Sequence, residues 1–318
     1  MTKIDIYSGF LGAGKTTLIK KMIKEAYHGQ KLVLIENEFG EIGIDGGFLQ
    51  EAGIQITEMN SGCICCSLVG DFGRALKKVI SEYHPDRILI EPSGVGKLSD
   101  VIGAVRKVTS DDVQLGNFVT VADATKCKMY MKNFGEFYNN QIETANTIIL
   151  SRTQNVDEKK LDECVKLLRD HNPNAVLVTT PWDQLTGEQL MEAMEQKTSI
   201  AMELEELEKE AHEHHHHHHG HDADEVFVSW GVETHKKFTT EQIEGILKQL
   251  EDAAQYGMVL RAKGYVASND SDRWIHFDYV PGEPDIRDGG AMVTGRICVI
   301  GSKLNEEAVA KLFGVEKQ

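Results

Sequence analysis

The sequence predicts an α/β fold, a mostly parallel sheet with helices on both faces, followed by a smaller α+β domain at the carboxyl end. Three observations predict it. From the first residue to about 180, short continuous Val/Ile/Leu runs alternate with longer amphipathic stretches, the pattern of strands buried on both faces. A glycine-rich turn joins the first apolar run to the first amphipathic stretch. Beyond a polar, low-complexity tract at 212–222 the pattern changes to strand-like runs with few helices. At 318 residues the chain suits roughly two domains, read here as 1–186, a helical and His-rich linker 187–224, and 225–318.

The run Ile4-Asp5-Ile6-Tyr7 leads into Gly9-Phe10-Leu11-Gly12-Ala13-Gly14-Lys15-Thr16-Thr17, which fits G-x-x-x-x-G-K-[ST] between a predicted strand and a helix beginning Thr17-Leu18-Ile19. This is the phosphate loop of a P-loop NTPase. Backbone N–H groups of Gly12, Ala13 and Gly14 turn toward the α and β phosphates, Lys15 reaches the β/γ oxygens, and the Thr16 hydroxyl, with Thr17 beside it, is placed for Mg²⁺. A turn that merely joins strand to helix would not need the Lys-Thr pair. The next strands are Leu32–Ile35, Ile88–Ile90, Asn117–Val121, Thr147–Leu150 and Ala175–Val178, separated by helices such as Gly73–Tyr83 and Glu158–Asp170.

A second nucleotide element belongs at the carboxyl end of another strand, and Ile88-Leu89-Ile90-Glu91-Pro92-Ser93-Gly94 fits it. Glu91 is suited to hold a Mg²⁺-bound or attacking water, and the Gly94 N–H to sense a γ-phosphate. Between the two elements lies Glu36-Asn37-Glu38-Phe39-Gly40-Glu41, a polar stretch directly after a strand. The carboxylates of Glu36, Glu38 and Glu41 could line Mg²⁺ or a second metal, and the glycines let the stretch rearrange as a switch; an acidic surface loop is the plain alternative. Lys15, Glu91 and Glu38 are the candidate catalytic residues. Cys63-Ile64-Cys65-Cys66 follows Asn60-Ser61-Gly62. Thiolates suit Zn²⁺ and similar ions, and Gly62 permits the sharp turn that would let several converge; buried structural cysteines are the alternative. Glu36 could complete such a site.

Residues 187–211 have roughly helical apolar spacing, with Leu190, Met194, Leu204, Leu207 and Ala211. They run into His214 to His219, an exposed tract that packs no core. Then come strand-like Val226–Trp230, a helix from Thr239 to Tyr256 opened by a Thr cap, strands at Met258–Leu260, Trp274–Phe277 and Arg296–Ile300, and a short closing helix, Leu304–Phe313. Trp182, Trp230, Trp274, Cys127, Cys164, Cys298, His171 and His276 read as packing residues.

The charge excludes more than it proposes. Lys plus Arg number 34 against 50 Asp plus Glu, and a net charge of −16 opposes attraction to nucleic acid phosphates or anionic lipid. No apolar run reaches the roughly 20 residues of a membrane span, and the amino terminus enters a strand rather than a cleavable signal. A cytoplasmic protein is expected. Six cysteines, three of them crowded together, point to free thiols or metal rather than a disulfide framework.

The set G-F-L-G-A-G-K-T-T, E-N-E-F-G-E, G-C-I-C-C-S and I-E-P-S-G, in this order, resembles the CobW-like family of P-loop GTPases, kin to the urease and hydrogenase nickel chaperones. Arg261-Ala262-Lys263-Gly264 and Arg296–Gly301 resemble that family's carboxyl-terminal domain, so the likeness covers nearly the whole chain. It implies that Cys63, Cys65 and Cys66, with Cys65 first, and the acidic loop bind Zn²⁺, Co²⁺ or a similar ion. It also implies GTP hydrolysis coupled to metal transfer, to a client metalloprotein, or to assembly of a metallocofactor such as cobalamin, with a homodimer as an option. The family often carries His-rich linkers, so His214, His216 and His218 read as a native metal-collecting tract rather than an expression tag.

One departure stands out. The family's base-reading N-K-x-D falls at Ser151-Arg152-Thr153-Gln154. An aspartate accepts both guanine N1–H and N2–H; Gln154 is neutral and offers one acceptor oxygen, so a charge-assisted contact is lost. Arg152 can still lie along a purine face as the usual Lys does. The base is therefore open: guanine, a relaxed purine preference, or guanine read by another residue. The leading reading is a nucleotide-gated metal chaperone or metallocofactor activator that hydrolyses GTP or another purine triphosphate. A metal sensor or storage protein with poor turnover, and a small-molecule kinase, are the alternatives.

Overall fold

A computed structural model describes residues 1–36, 55–56, 69–107, 109, 112–195 and 228–315. The chain divides into two compact units, Met1–Glu195 and Gln196–Gln318. In the first, seven parallel strands form one sheet in the order β3-β2-β4-β1-β5-β6-β7. They are β1 (Thr2–Gly9), β2 (Leu32–Glu36), β3 (Gln55–Ile56), β4 (Arg87–Glu91), β5 (Val113–Asp123), β6 (Thr147–Ser151) and β7 (Val176–Val178). The helices are α1 (Lys15–Glu25), α2 (Val69–Tyr83), α3 (Leu98–Arg106), α4 (Cys127–Thr144), α5 (Glu158–His171) and α6 (Gly187–Met194).

Strand residues alternate between faces. Ile4, Ile6, Val33, Ile35, Ile88 and Ile90 form one core with Val101 and Val105 of α3, Tyr138 and Ile142 of α4, and Val165 and Leu168 of α5. Buried Leu34, Leu89 and Val121 alternate with that set, and α1 and α6 pack on this other side. The sheet is thus doubly covered, as its apolar runs require. From β1 the chain runs out to β2 and β3, returns to insert β4 beside β1, and then crosses to build β5, β6 and β7 on the other side, and a crevice opens at the carboxyl ends of β1 and β4.

Asp5 and Arg87 are buried on adjacent strands and form an ion pair. Asp5 also accepts the Asn117 N–H at 2.7 Å and the Tyr27 hydroxyl at 3.3 Å, and Tyr27 shares a short hydrogen bond with Tyr7. Arg87 lies 4.8 Å over the Tyr27 ring and donates to Gln30 at 3.0 Å. Burial opposes the Arg87 charge, but Asp5 and Tyr27 hold it protonated, while burial with the Asp5 charge pushes the Tyr7 phenol up.

Helix α6 opens with a capping box between Thr186 and Gln189. Its Gly187 N–H donates to Glu25 of α1 at 2.9 Å, and buried Leu190 and Met194 face the core. The head of the stretch 187–224 therefore packs with the first unit; its remainder, with Leu204, Leu207 and Ala211, lies outside the described residues.

The second unit holds β8 (Val228–Thr234), β9 (Lys237–Phe238), β10 (Met258–Ser268), β11 (Trp274–Val280), β12 (Glu283–Gly289) and β13 (Gly295–Ser302). Five of them run antiparallel in the order β12-β11-β10-β13-β8, with β9 parallel to β10. Its core joins Trp230, Val232, Phe277, Ile297 and Val299 to α7 (Thr240–Gln249) and α9 (Glu306–Phe313). Thr239 caps α7 in a capping box with Gln242. The helix expected through Tyr256 is instead two: Asp252 accepts the Ala254 N–H at 3.1 Å and starts the four-residue α8 (Ala253–Tyr256). Strand β12, Glu-Pro-Asp-Ile-Arg-Asp-Gly, has no apolar alternation to announce it, which suits an exposed edge. Among the described residues no helix is long and apolar enough to cross a membrane.

Removing one partner of the Asp5–Arg87 pair strands a buried charge, so Arg87→Ala is expected to lower unfolding free energy by about 3–5 kcal/mol. Urea denaturation followed by circular dichroism measures it, and the double variant Asp5→Leu/Arg87→Met should recover most of the loss.

Candidate functional site

Strand β1 ends at Gly9, and the chain turns through Phe10–Gly14 before α1 begins at Lys15. Gly14 stands at the helix N-cap with φ of 105°, a conformation strained for any residue with a Cβ. The opening N–H groups of α1 have no partners earlier in the helix, and its first turn carries no acid, so the turn and helix start form a cradle for an anion. The Lys15 side chain is mostly buried, with Nζ 3.4 Å from the Phe10 carbonyl, which keeps the ammonium folded over the turn. A cleft of about 500 Å³ opens here, within the usual range for small-molecule sites. It is lined by Leu11, Gly12 and Gly14 of the turn, by Lys15–Thr17, by Glu91–Gly94 and by Arg152.

The Thr16 hydroxyl donates to Glu91 Oε1 at 2.9 Å, with Oε2 at 3.2 Å. A hydroxyl and a carboxylate meeting in an anion-binding cleft are hard oxygen donors of the kind Mg²⁺ takes, so these two residues fit that ion. Glu36 ends β2 in direct register with Glu91 at the end of β4. Parallel neighbours in register lie roughly 5 Å apart and point the same way. Two carboxylates thus stand side by side at the sheet edge, one beside the phosphate loop and the other at the start of the acidic stretch. Gly94, three residues past Glu91, is packed so tightly that a Cβ would lie 2.8 Å from the Leu11 nitrogen.

On the other side of the cleft, Ser151 ends β6 and Arg152 follows with a left-handed φ of 58°. Its guanidinium pairs with Asp123, the buried last residue of β5, and donates to the Gly12 carbonyl at 2.9 Å. Asp123 is also held by the Thr125 N–H at 2.9 Å and hydroxyl at 2.6 Å. Arg152 therefore ties the base side of the cleft to the phosphate loop. Gln154 is exposed in the single 3₁₀ turn Thr153–Asn155, and the buried Thr153 hydroxyl has no hydrogen-bond partner among the described residues.

Two residues here went unnoticed in the sequence. Asp123 closes an apolar run as Glu91 does, and that signal was available. Trp182 read as packing, yet its Nε1 donates to the Leu150 carbonyl at 2.8 Å and its ring would meet a Cβ on Gly14 at 3.2 Å. It bridges the end of β6 to the phosphate loop, a role that only the sheet order reveals.

The structure brings together Gly12, Gly14, Lys15, Thr16, Thr17, Glu91, Gly94 and Arg152, and places Glu36 beside Glu91. Ala13 is buried in the turn. Glu38, Glu41, Cys63, Cys65, Cys66, His214, His216 and His218 lie outside the described residues. Cys127, Cys164 and Cys298 are buried free thiols, and the Cys127 hydrogen bond with burial pushes the Cys164 thiol far up. His171 is bonded to Glu143 at 2.9 Å, and His276 lies 3.1 Å from the Gly290 carbonyl. Among the described residues no three His, Cys, Asp or Glu gather as a metal-binding group.

Comparison with known proteins bears directly on this geometry. The zinc chaperone CobW of Sinorhizobium sp is 31% identical over 194 residues, 52% of this chain and 53% of that protein. The zinc-regulated GTPase metalloprotein activator 1 of Dictyostelium discoideum is 27% identical over 214 residues, 55% of this chain and 45% of that protein. The alignments thus span about half the length of these relatives. The crystal structure of Zn(II)-bound YjiA GTPase from E. coli aligns over 99% of both chains at 20% identity with a TM-score of 0.43. The family model for the nucleotide-binding domain of CobW/HypB/UreG matches residues 3–179, and that for the cobalamin synthesis protein cobW C-terminal domain matches residues 227–315. With its phosphate loop, cleft and second unit covered by these matches, the chain belongs to the CobW/HypB/UreG family and carries a CobW carboxyl-terminal domain.

Proposed function

We propose that the protein is a nucleotide-dependent metal chaperone or metalloprotein activator, which hydrolyses GTP or another purine triphosphate and hands a divalent ion, zinc first, to a client metalloprotein. The juxtaposition of Glu36 with Glu91 is the observation that carries it. The strand-end carboxylate proposed for the transition ion is next in register to the one proposed for the Mg²⁺ side, so occupancy of either site would alter the field at the other. Lys15 and the N–H groups of the phosphate loop would bind the phosphates, and Thr16, with Glu91 acting through a bound water, would hold a Mg²⁺ ion, which would supply charge neutralisation there. Glu36, Glu38, Glu41 and the cysteines 63, 65 and 66 are the proposed ligands of the transferred ion, with His214, His216 and His218 collecting it. The names of the relatives support zinc as cargo; cobalt transfer or a cobalamin-related assembly step remain the finer alternatives.

Phosphate release assayed with GTP, ATP and XTP, each with and without Zn²⁺ or Co²⁺, tests base choice and metal coupling together. Lys15→Ala should slow turnover by about 10²-fold or more. Bound Zn²⁺ should change the wild-type rate, and Glu36→Ala or Cys65→Ala should abolish that response. A rate indifferent to tightly bound metal sinks the coupling, and binding without phosphate release turns the reading to a sensor or storage protein.

Arg152→Met removes a charged donor from both Asp123 and Gly12, so nucleoside triphosphate affinity should fall by about tenfold or more. Inorganic triphosphate, which has no base to seat, should lose far less. Isothermal titration calorimetry with both ligands separates the base-side contribution from the phosphate cradle.

A further inference from the structure

Helix α4 touches both loops that frame the phosphate end of the cleft, through side chains outside the site as described so far. Tyr130, Phe134 and Tyr138 surround Phe10 of the phosphate loop, with ring centroids at 4.5, 5.0 and 5.9 Å. Farther along the helix, Asn140 and Gln141 fasten the β4–α3 connection. Gln141 is fully buried, and its Nε2 donates to the Gly94 carbonyl at 3.1 Å and to the Gly96 carbonyl at 2.8 Å. Both partners can only accept, so chemistry fixes the amide with its nitrogen toward the loop. Asn140 accepts the Ser99 N–H at 3.2 Å and donates to the Ser99 hydroxyl at 3.0 Å, satisfying an opening donor of α3. Two consecutive residues thus make four bonds to one segment.

Gln141 is more than a space-filler. Its own carbonyl accepts the Thr120 hydroxyl at 2.7 Å, which ties this turn of α4 to β5. Its Oε1 is buried without a hydrogen-bond partner among the described residues. A methionine of similar length would fill the volume but leave the buried Gly94 and Gly96 carbonyls without this donor, so the amide is what fastens the segment. The amide does fix where Gly94 stands. That glycine presses against the Leu11 backbone, so a small shift of the segment changes where its N–H points relative to the phosphate loop.

We propose that Gln141 is a positioning residue for triphosphate recognition. By holding the carbonyls of Gly94 and Gly96 it aims the Gly94 N–H at the γ-phosphoryl position, and it thereby sets the preference for a nucleoside triphosphate over the diphosphate. This rests on the reading of the cleft as an NTP site with Gly94 as its γ-phosphate sensor.

The test uses the full chain with Mg²⁺, titrated with guanosine 5′-(β,γ-imido)triphosphate and with GDP, as wild type, Gln141→Met and Gln141→Asn, and with thermal unfolding of each. Wild type should favour the triphosphate analogue. In Gln141→Met, GDP affinity should stay within about twofold while triphosphate affinity falls about tenfold or more. Gln141→Asn, whose amide stays a neutral buried donor but is one methylene too short to reach both carbonyls, should show the same selective loss, and it decides the matter if the methionine variant does not fold. Equal losses for both nucleotides, or a preference that survives both substitutions, overturn the proposal. A wild-type chain that binds the analogue no better than GDP overturns the reading of Gly94 itself.

Discussion

The hydrogen bond from Thr16 to Glu91 is the contact on which the site depends, because it joins the two nucleotide elements across neighbouring strands. It follows from the order β2-β4-β1. Parallel strands in register bring their carboxyl ends into one row, and that row presents, in sequence, Glu36, Glu91 and the phosphate-loop turn. No single one of these residues would be a site. A glycine-rich turn alone is an anion cradle, a strand-end glutamate alone is commonplace, and a second glutamate beside it would repel. A hydroxyl and two carboxylates gathered in one strand-end row together suit a divalent cation, which none of them would do singly.

The register that makes this row is itself held from below. The Asp5–Arg87 pair links β1 to β4 in the middle of the sheet, and Asp5 also accepts the Asn117 N–H of β5. A charge buried this way gains its stability only if every partner is in place, which makes any slip between these strands expensive. On one flank of the crevice, α4 braces the phosphate loop through aromatic contacts and the Gly94 segment through amide bonds. The phosphate-loop turn is thus packed from one side, and the Gly94 segment is hydrogen-bonded from behind.

Much of this was legible in the sequence, and the reason is local. Continuous apolar runs gave β1, β2, β4, β6 and β7, and the spacing of glycines, Lys15 and Thr16 specified a turn whose chemistry does not depend on distant residues. Glu91 and Arg152 were placed because each follows a recognisable strand. What could not be read were contacts made by strand order. Glu36 and Glu91 are far apart in the chain and adjacent only because β2 pairs with β4. Trp182, Asp123 and Gln141 look like ordinary core residues until the topology shows what each one bonds. Strand β12 was missed for a different reason: an exposed edge strand carries no buried face, and so no alternation to read.

Those contacts also bear on the altered base loop. Arg152 and Trp182 connect the base side to the phosphate loop, bonding to Gly12 and Leu150 while the indole abuts Gly14. The mechanical link between the two sides of the cleft is therefore kept even though the aspartate has become Gln154. Holding a triphosphate and choosing a base are separable tasks, since phosphates are gripped by N–H groups, Lys15 and a metal, none of which the base loop provides. On the proposed reading, Gln154 therefore bears on base selectivity and not on the phosphate cradle.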